Sequence, residues 1–188
     1  MDSLDTLFAQ LGETNILDQQ EAKQRLLAFG DAILEPLWNL LETGTDFQIS
    51  NAVVLLGQLG NPRSVDKLLP LLEHPFFLVR TNVAQILGQF DDPRIVVALL
   101  ERLPQDQIMI QTWIIDSLRR LRVPNSIPAL LEFLRNTPST ELRYLTIRAL
   151  GEIGNASIVH QLVPYLDDPN HHVRDYTQRA LEKLGYFG

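Results

Sequence analysis

The chain has 188 residues, 45% of them hydrophobic and 21% charged, and a formal net charge of −7; this is enough apolar material for a substantial core and too much for a disordered chain. Cysteine is absent, which excludes disulfides, thiolate metal sites and cysteine nucleophiles and fits a reducing compartment. The acidic balance argues against a general nucleic-acid binder, whose affinity comes from cations neutralising phosphates.

Met1 is followed by Asp2 and Asp5 rather than by a basic segment and an apolar run, and no stretch approaches the roughly 18 apolar residues of a membrane span. The expectation is a cytoplasmic protein with no membrane partner. The first thirty residues read as a worn helix pair, with Leu4, Leu7, Phe8 and Leu11 on one face of the first helix and Asp18 capping a second that runs to about Phe29. From there a period sets in. Pro62, Pro93 and Pro124 are spaced by 31 residues, and Ala156 takes the fourth place after one inserted residue. Proline is tolerated in a helix's first turn, so Asn61, Asp92 and Asn155 read as N-caps that open a new unit each time.

Within each unit, Val65, Leu68, Leu69 and Leu72, or Ile127, Leu130, Leu131 and Leu134, recur at the three- and four-residue steps of one helix face. Turns at Glu73-His74-Pro75, Asn136-Thr137-Pro138 and Asp167-Asp168-Pro169 separate these first helices from second ones. The second helices carry a stripe at Val79, Val83, Ile86, Leu87 and Phe90, matched by Leu142, Thr146, Ala149, Leu150 and Ile153. Such a stripe must be covered by a neighbour, so the pairs should stack. Gly30, Gly60, Gly154 and Gly185 read as helix ends at positive φ. Gly57, Gly88 and Gly151 fall inside second helices, where a glycine is costly unless it permits close approach; Arg119 and Glu182 break this column. The expectation is one all-α domain over 1–188, an α-α superhelix of about six helical hairpins, with a degenerate repeat at 1–30 and repeats at 31–60, 61–91, 92–122, 123–154 and 155–185.

The tetratricopeptide and ankyrin signatures are absent. The Asp168-Pro169 turn, the Val79-Arg80 and Val173-Arg174 pairs and the run from Ala149 to Gly154 resemble the short HEAT-like repeats of the phycobilisome (PBS) lyase family. That resemblance covers about residues 31 to 185. It implies a HEAT-like solenoid that handles another protein: a subunit of an E/F-type lyase that attaches, detaches or isomerises a bilin on a phycobiliprotein, or an adaptor for phycobilisome degradation.

No Gly-x-Ser-x-Gly motif, phosphate-cradling loop or acid/base carboxylate pair appears, so no catalytic residue is assigned. His74, His160, His171 and His172 are not followed by glutamate, which removes the paired His-Glu motifs of a di-iron hydroxylase; adjacent His171 and His172 are expected to point apart. No metal or cofactor site is assigned. By analogy with HEAT-like arrays, Arg80, Arg143 and Arg174 form a column expected to bond to turn carboxylates or carbonyls of adjacent units, broken by Ile49 and Gln111. Partner choice would lie in the positions that vary between units. Asn51, Asn82, Trp113, Leu145 and Tyr176 form one column, Ser50, Thr81, Thr112, Tyr144 and Asp175 the next, and Val54, Gln85, Asp116, Arg148 and Arg179 a third one turn on. These become aromatic and basic towards the C-terminus, the residue types that dominate interface energetics. Trp113 reads either as core beside Ile114 or as part of such a surface, and Trp38 as packing or outer surface. Arg119, Arg120 and Arg122, with Arg143 and Arg148, form a basic island that is either a solvated helix end or a dock for an acidic protein or tetrapyrrole propionates. The reading is a non-enzymatic scaffold holding a protein partner, such as a phycobiliprotein or a second HEAT-like subunit, on a concave surface from Thr112 to Arg179; the alternative is the bilin lyase subunit.

Overall fold

The computed structural model describes residues 3–186, which contain twelve α-helices, seven short 3-10 segments and no strand. The helices pair into six hairpins: α1 (Leu4–Gln10) with α2 (Ile16–Leu27), α3 (Leu34–Thr43) with α4 (Asp46–Leu59), α5 (Val65–Leu68) with α6 (Phe77–Leu87), α7 (Pro93–Arg102) with α8 (Ile108–Leu121), α9 (Ile127–Asn136) with α10 (Thr140–Ile153), and α11 (Val159–Leu162) with α12 (His171–Lys183). The chain divides into two compact units, one ending at Asp92 and the other beginning at Pro93.

In the N-terminal unit α4 packs on α2 and α6 on α4; in the C-terminal unit α10 packs on both α8 and α12. The second-helix stripe lies in these contacts. Val79, Val83, Leu87, Leu142, Thr146, Ala149 and Leu150 are each no more than 1% exposed. Trp38 is core as well, its Nε1 donating to the buried Ser64 hydroxyl at 3.2 Å while the Arg63 guanidinium covers its ring.

Asn61 and Asn155 cap their units as expected, accepting from the N–H of Arg63 and Ser157. Other local expectations are corrected. Asn15 caps α2, and Asp18 sits in that helix's first turn. In the third and sixth hairpins the first helix is a single α-turn flanked by 3-10 turns, because Pro70 and Pro164 remove an N–H and crowd the carbonyl four residues back. α9 has its proline at the start and stays α-helical. Gly30, Gly60 and Gly185 have positive φ, whereas Gly154 is extended; Arg122 occupies the left-handed position after α8 at φ 51°. Gly88 lies at the end of α6 rather than within it.

Gly57 and Gly151 do permit close approach. A Cβ on Gly57 would lie 2.7 Å from Ile86 Cγ2, and one on Gly151 would lie 2.6 Å from Ala180 Cβ and 2.7 Å from its Cα. No L side chain fits against a backbone atom at that distance, so glycine sets the spacing of α10 and α12.

Candidate interaction surface

Arg80, Arg143 and Arg174 bond to the turns of their own hairpins, and Arg143 also bonds to a turn carboxylate of the next. Arg80 Nη1 donates to the carbonyls of His74 and Pro75 at 2.7 and 3.0 Å, and Arg174 Nη1 to those of Asp168 and Pro169 at the same two distances. The turn proline and the arginine five residues on are therefore one device: the proline bends the chain, and the guanidinium clamps the carbonyls the bend leaves open at the mouth of its own helix. Arg143 does both. It reaches Pro138 O at 3.4 Å and Thr140 Oγ1 at 3.2 Å, while its Nε forms an ion pair at 3.3 Å with Asp168 of the next hairpin. Arg143 is thus committed to the turns and does not join the basic island.

The first members of the variable columns are structural. Asn51 is 8% exposed and its Nδ2 donates to Leu11 O at 2.8 Å, Gln19 Oε1 at 3.1 Å and Phe47 O at 3.1 Å. Asn82 Nδ2 donates to Ser50 O at 3.1 Å and Ser50 Oγ at 2.8 Å, tying α6 to α4. Gln85 is half-buried on the same helix.

In the C-terminal unit the same positions form a surface across α8, α10 and α12. Near the N-terminal ends of these helices, Trp113 is half-buried, lining with Ile108, Met109, Thr112 and Glu141 a shallow hollow of about 330 Å³. Ile108 and Met109 are 52% and 58% exposed. Tyr144 and Tyr176, which the repeat register puts in different columns, stack at 5.1 Å with planes 14° apart. His172 packs on Tyr144 at 6.0 Å; its neighbour His171 does not point away, the two imidazoles lying 3.9 Å apart in the first turn of α12. Burial, with the charge of Glu141 behind it, raises the Tyr144 phenol above its ordinary pKa despite Arg148, so the ring remains neutral.

Towards the C-terminal ends lies the basic island, built around two carboxylates. Asp116 Oδ1 accepts from Arg119 Nε and Nη2 at 3.0 and 2.8 Å and from Arg148 Nη2 at 3.2 Å, and its Oδ2 lies 2.8 Å from Arg120 Nε. Glu152 takes Arg119 Nη1 at 2.9 Å, Lys183 Nζ at 3.5 Å and, more loosely, Arg122 Nη2 at 3.9 Å. Arg119 on α8 therefore bridges to α10, and Glu152 on α10 to α12. Burial pushes both carboxyls up, but the hydrogen bonds and charges of Arg119, with those of Arg120 and Arg148 at Asp116 and Lys183 at Glu152, outweigh it and hold both below the ordinary carboxylate range. Arg179 completes the group, its guanidinium 5.8 Å from the Tyr176 ring centre. With Arg148, Glu152, Tyr176, Ala180 and Lys183 it lines a cleft of about 230 Å³ between α10 and α12.

Glu152 and Lys183 were not among the sequence-derived site residues, although the signal is present in the repeats. Arg120, Glu152 and Lys183 are spaced by 32 and 31 residues, so opposite charges alternate down a single column. Among the described residues, no three histidine, aspartate or glutamate side chains converge as a metal site, and no helix is long and apolar enough to cross a membrane.

A family model described as HEAT repeats matches residues 34–119 and 127–186. No curated protein matches the chain in sequence. Among solved structures, it is similar to the complex of CpcE and CpcF of phycocyanin lyase from Nostoc sp., at 22% identity and a TM-score of 0.63 over 99% of this chain and 78% of that one. It is also similar to an engineered protein, at 20% identity and a TM-score of 0.62 over 98% and 97% of the two chains. A designed armadillo repeat protein in complex with the peptide (KR)4 aligns at 17% identity and a TM-score of 0.63, covering 97% of this chain and 100% of that one. At these identities the likeness establishes the fold, an armadillo/HEAT-type arrangement of helical hairpins.

Proposed function

We propose, from the premise that this chain belongs to the HEAT-repeat family, that it is a non-enzymatic scaffold that binds a protein partner on the α8–α10–α12 face of its C-terminal unit. The observation that carries this reading is the composition of that face. Trp113, Tyr144 and Tyr176 offer large rigid area near one end, and arginines held in place by Asp116 and Glu152 offer directed donors near the other. Aromatic rings and arginines dominate interface energetics because each buries a large area while keeping a polar tip or fork for specific contact. The repeat-protein neighbour carrying a bound peptide supports the use of such a fold for binding. The test is affinity capture from native lysate with the protein as bait. Tyr144→Ala/Tyr176→Ala should lose the specific partner and Phe47→Ala/Phe77→Ala in the other unit should keep it. Equal capture by both variants overturns the assignment of the face.

A second reading is a subunit of an E/F-type bilin lyase or isomerase, or an adaptor for phycobilisome degradation, with a phycobiliprotein or a second HEAT-like chain as partner. It is supported by the likeness to the CpcE–CpcF complex and by an arginine cluster suited to propionate carboxylates. Co-expression with phycobiliprotein subunits and a bilin source separates the two. Covalent transfer seen by absorbance favours the lyase, and binding without spectral change favours the scaffold.

A further inference from the structure

Resting on the assignment of this face, we infer that its occupant is an acidic, extended polypeptide segment carrying an aromatic side chain, which runs across α8, α10 and α12. Charge complementarity is the ground. Six cations, Arg119, Arg120, Arg122, Arg148, Arg179 and Lys183, surround two carboxylates, Asp116 and Glu152, and six less two leaves a surplus of four positive charges on a chain whose net charge is −7. The nearby Glu182, which accepts from Gln178, lowers this surplus by one and leaves it positive.

The arrangement is also preorganised. Asp116 anchors one nitrogen each of Arg120 and Arg148, and Glu152 anchors Lys183. The terminal guanidinium nitrogens of Arg120 and Arg179 form no ion pair or hydrogen bond among the described residues. Donors fixed in position and left unsatisfied suit an incoming carboxylate, since the ordering cost is already met by the protein. The aromatic shelf of Tyr144 and Tyr176 adjoins the island through Arg179, which lies on the Tyr176 ring. A partner aromatic stacking there would bring flanking carboxylates to the cations.

Packed helices lie about 8–10 Å apart and an extended chain rises about 3.3 Å per residue, so one acidic residue in three meets each successive helix. A single-stranded nucleic acid is the competing occupant of a cationic patch, and the test below separates the two.

The test uses the whole chain and a fluorescein-labelled nine-residue peptide, Glu-Gly-Ser-Glu-Phe-Ser-Glu-Gly-Ser, followed by anisotropy. It should bind about tenfold more tightly than the same peptide with glutamine for glutamate, each exposed ion pair adding a few-fold, and the difference should shrink as added salt screens the charges. Arg179→Ala/Lys183→Ala should reduce affinity for the acidic peptide severalfold at an unchanged melting temperature, and Arg179→Lys should retain most of it. Equal binding of both peptides, no binding at 1 mM peptide, or tighter binding of a nine-nucleotide single-stranded DNA overturns the inference. If lysate capture is lost in Tyr144→Ala/Tyr176→Ala yet survives Arg179→Glu/Lys183→Glu, the acidic-segment inference falls and the docking face stands. If capture survives both, both fall.

Discussion

Replacing Gly151 by alanine tests the physical basis of the surface. The new methyl would lie 2.6 Å from Ala180 Cβ and 2.7 Å from Ala180 Cα, whereas carbons in contact sit about 3.5–4.0 Å apart. α10 and α12 would have to separate by about 1 Å. Overpacking of this kind costs about 1–3 kcal/mol, and the better helix propensity of alanine offsets about 0.5–1 kcal/mol, so a net loss of about 1–2 kcal/mol is expected. Ala180→Gly alone should also destabilise, through a lost buried methyl and an added helix glycine. Combined, the two should lose less than their sum by about 1 kcal/mol, because the methyl at 151 then fills the space vacated at 180; the rescue is partial, since the Ala180 backbone stays close. The assay is urea unfolding in a Trp38→Phe background, where the indole signal comes from Trp113 in the C-terminal unit. A Gly151→Ala protein as stable as the parent, or additive single effects, would refute the close-approach argument. The same separation should disturb the Tyr144–Tyr176 stack and weaken binding of the acidic peptide.

Three further outcomes follow from the geometry. Asp116 and Glu152 have pKa values depressed by their cations, so their contribution to stability is present above the unfolded carboxylate value of about 4 and is lost as pH falls through the lower folded values. Asp116→Asn/Glu152→Gln should flatten that acid limb in thermal melts between neutral pH and pH 3, and an unchanged pH profile would contradict the network. Arg122→Gly should stabilise the protein by about 1 kcal/mol by relieving a left-handed residue, since its 3.9 Å contact with Glu152, at 69% side-chain exposure, offers little in return; a lower melting temperature would show that the contact matters more than the strain. Asn51→Ala should cost about 1–3 kcal/mol by stranding the Leu11 carbonyl and removing the acceptor of Lys23, with faster amide exchange in α1 and α2; unchanged protection there would mean that the amide does not hold the first hairpin.

The sequence by itself determined the repeats. Apolar spacing within each helix, turn prolines and capping asparagines are local constraints, which is why the stripe residues Val79, Val83 and Leu87 and their counterparts Leu142, Thr146 and Leu150 proved buried and why the turns at His74-Pro75 and Asp168-Pro169 fell where expected. Even the drift of Trp113, Tyr144, Tyr176 and Arg179 towards aromatic and basic character was visible from the repeat register. Only the tertiary structure decided which of these side chains meet. Register assigns columns along helices of equal phase, but long side chains lean across neighbouring helices, so Tyr144 stacks on Tyr176 from an adjacent column. Arg143 turned away to Asp168, while Glu152 and Lys183 entered the island because Gly151 and Ala180 bring α10 against α12. Secondary structure follows from interactions a few residues apart, and a binding surface from contacts thirty residues apart whose geometry depends on helix spacing.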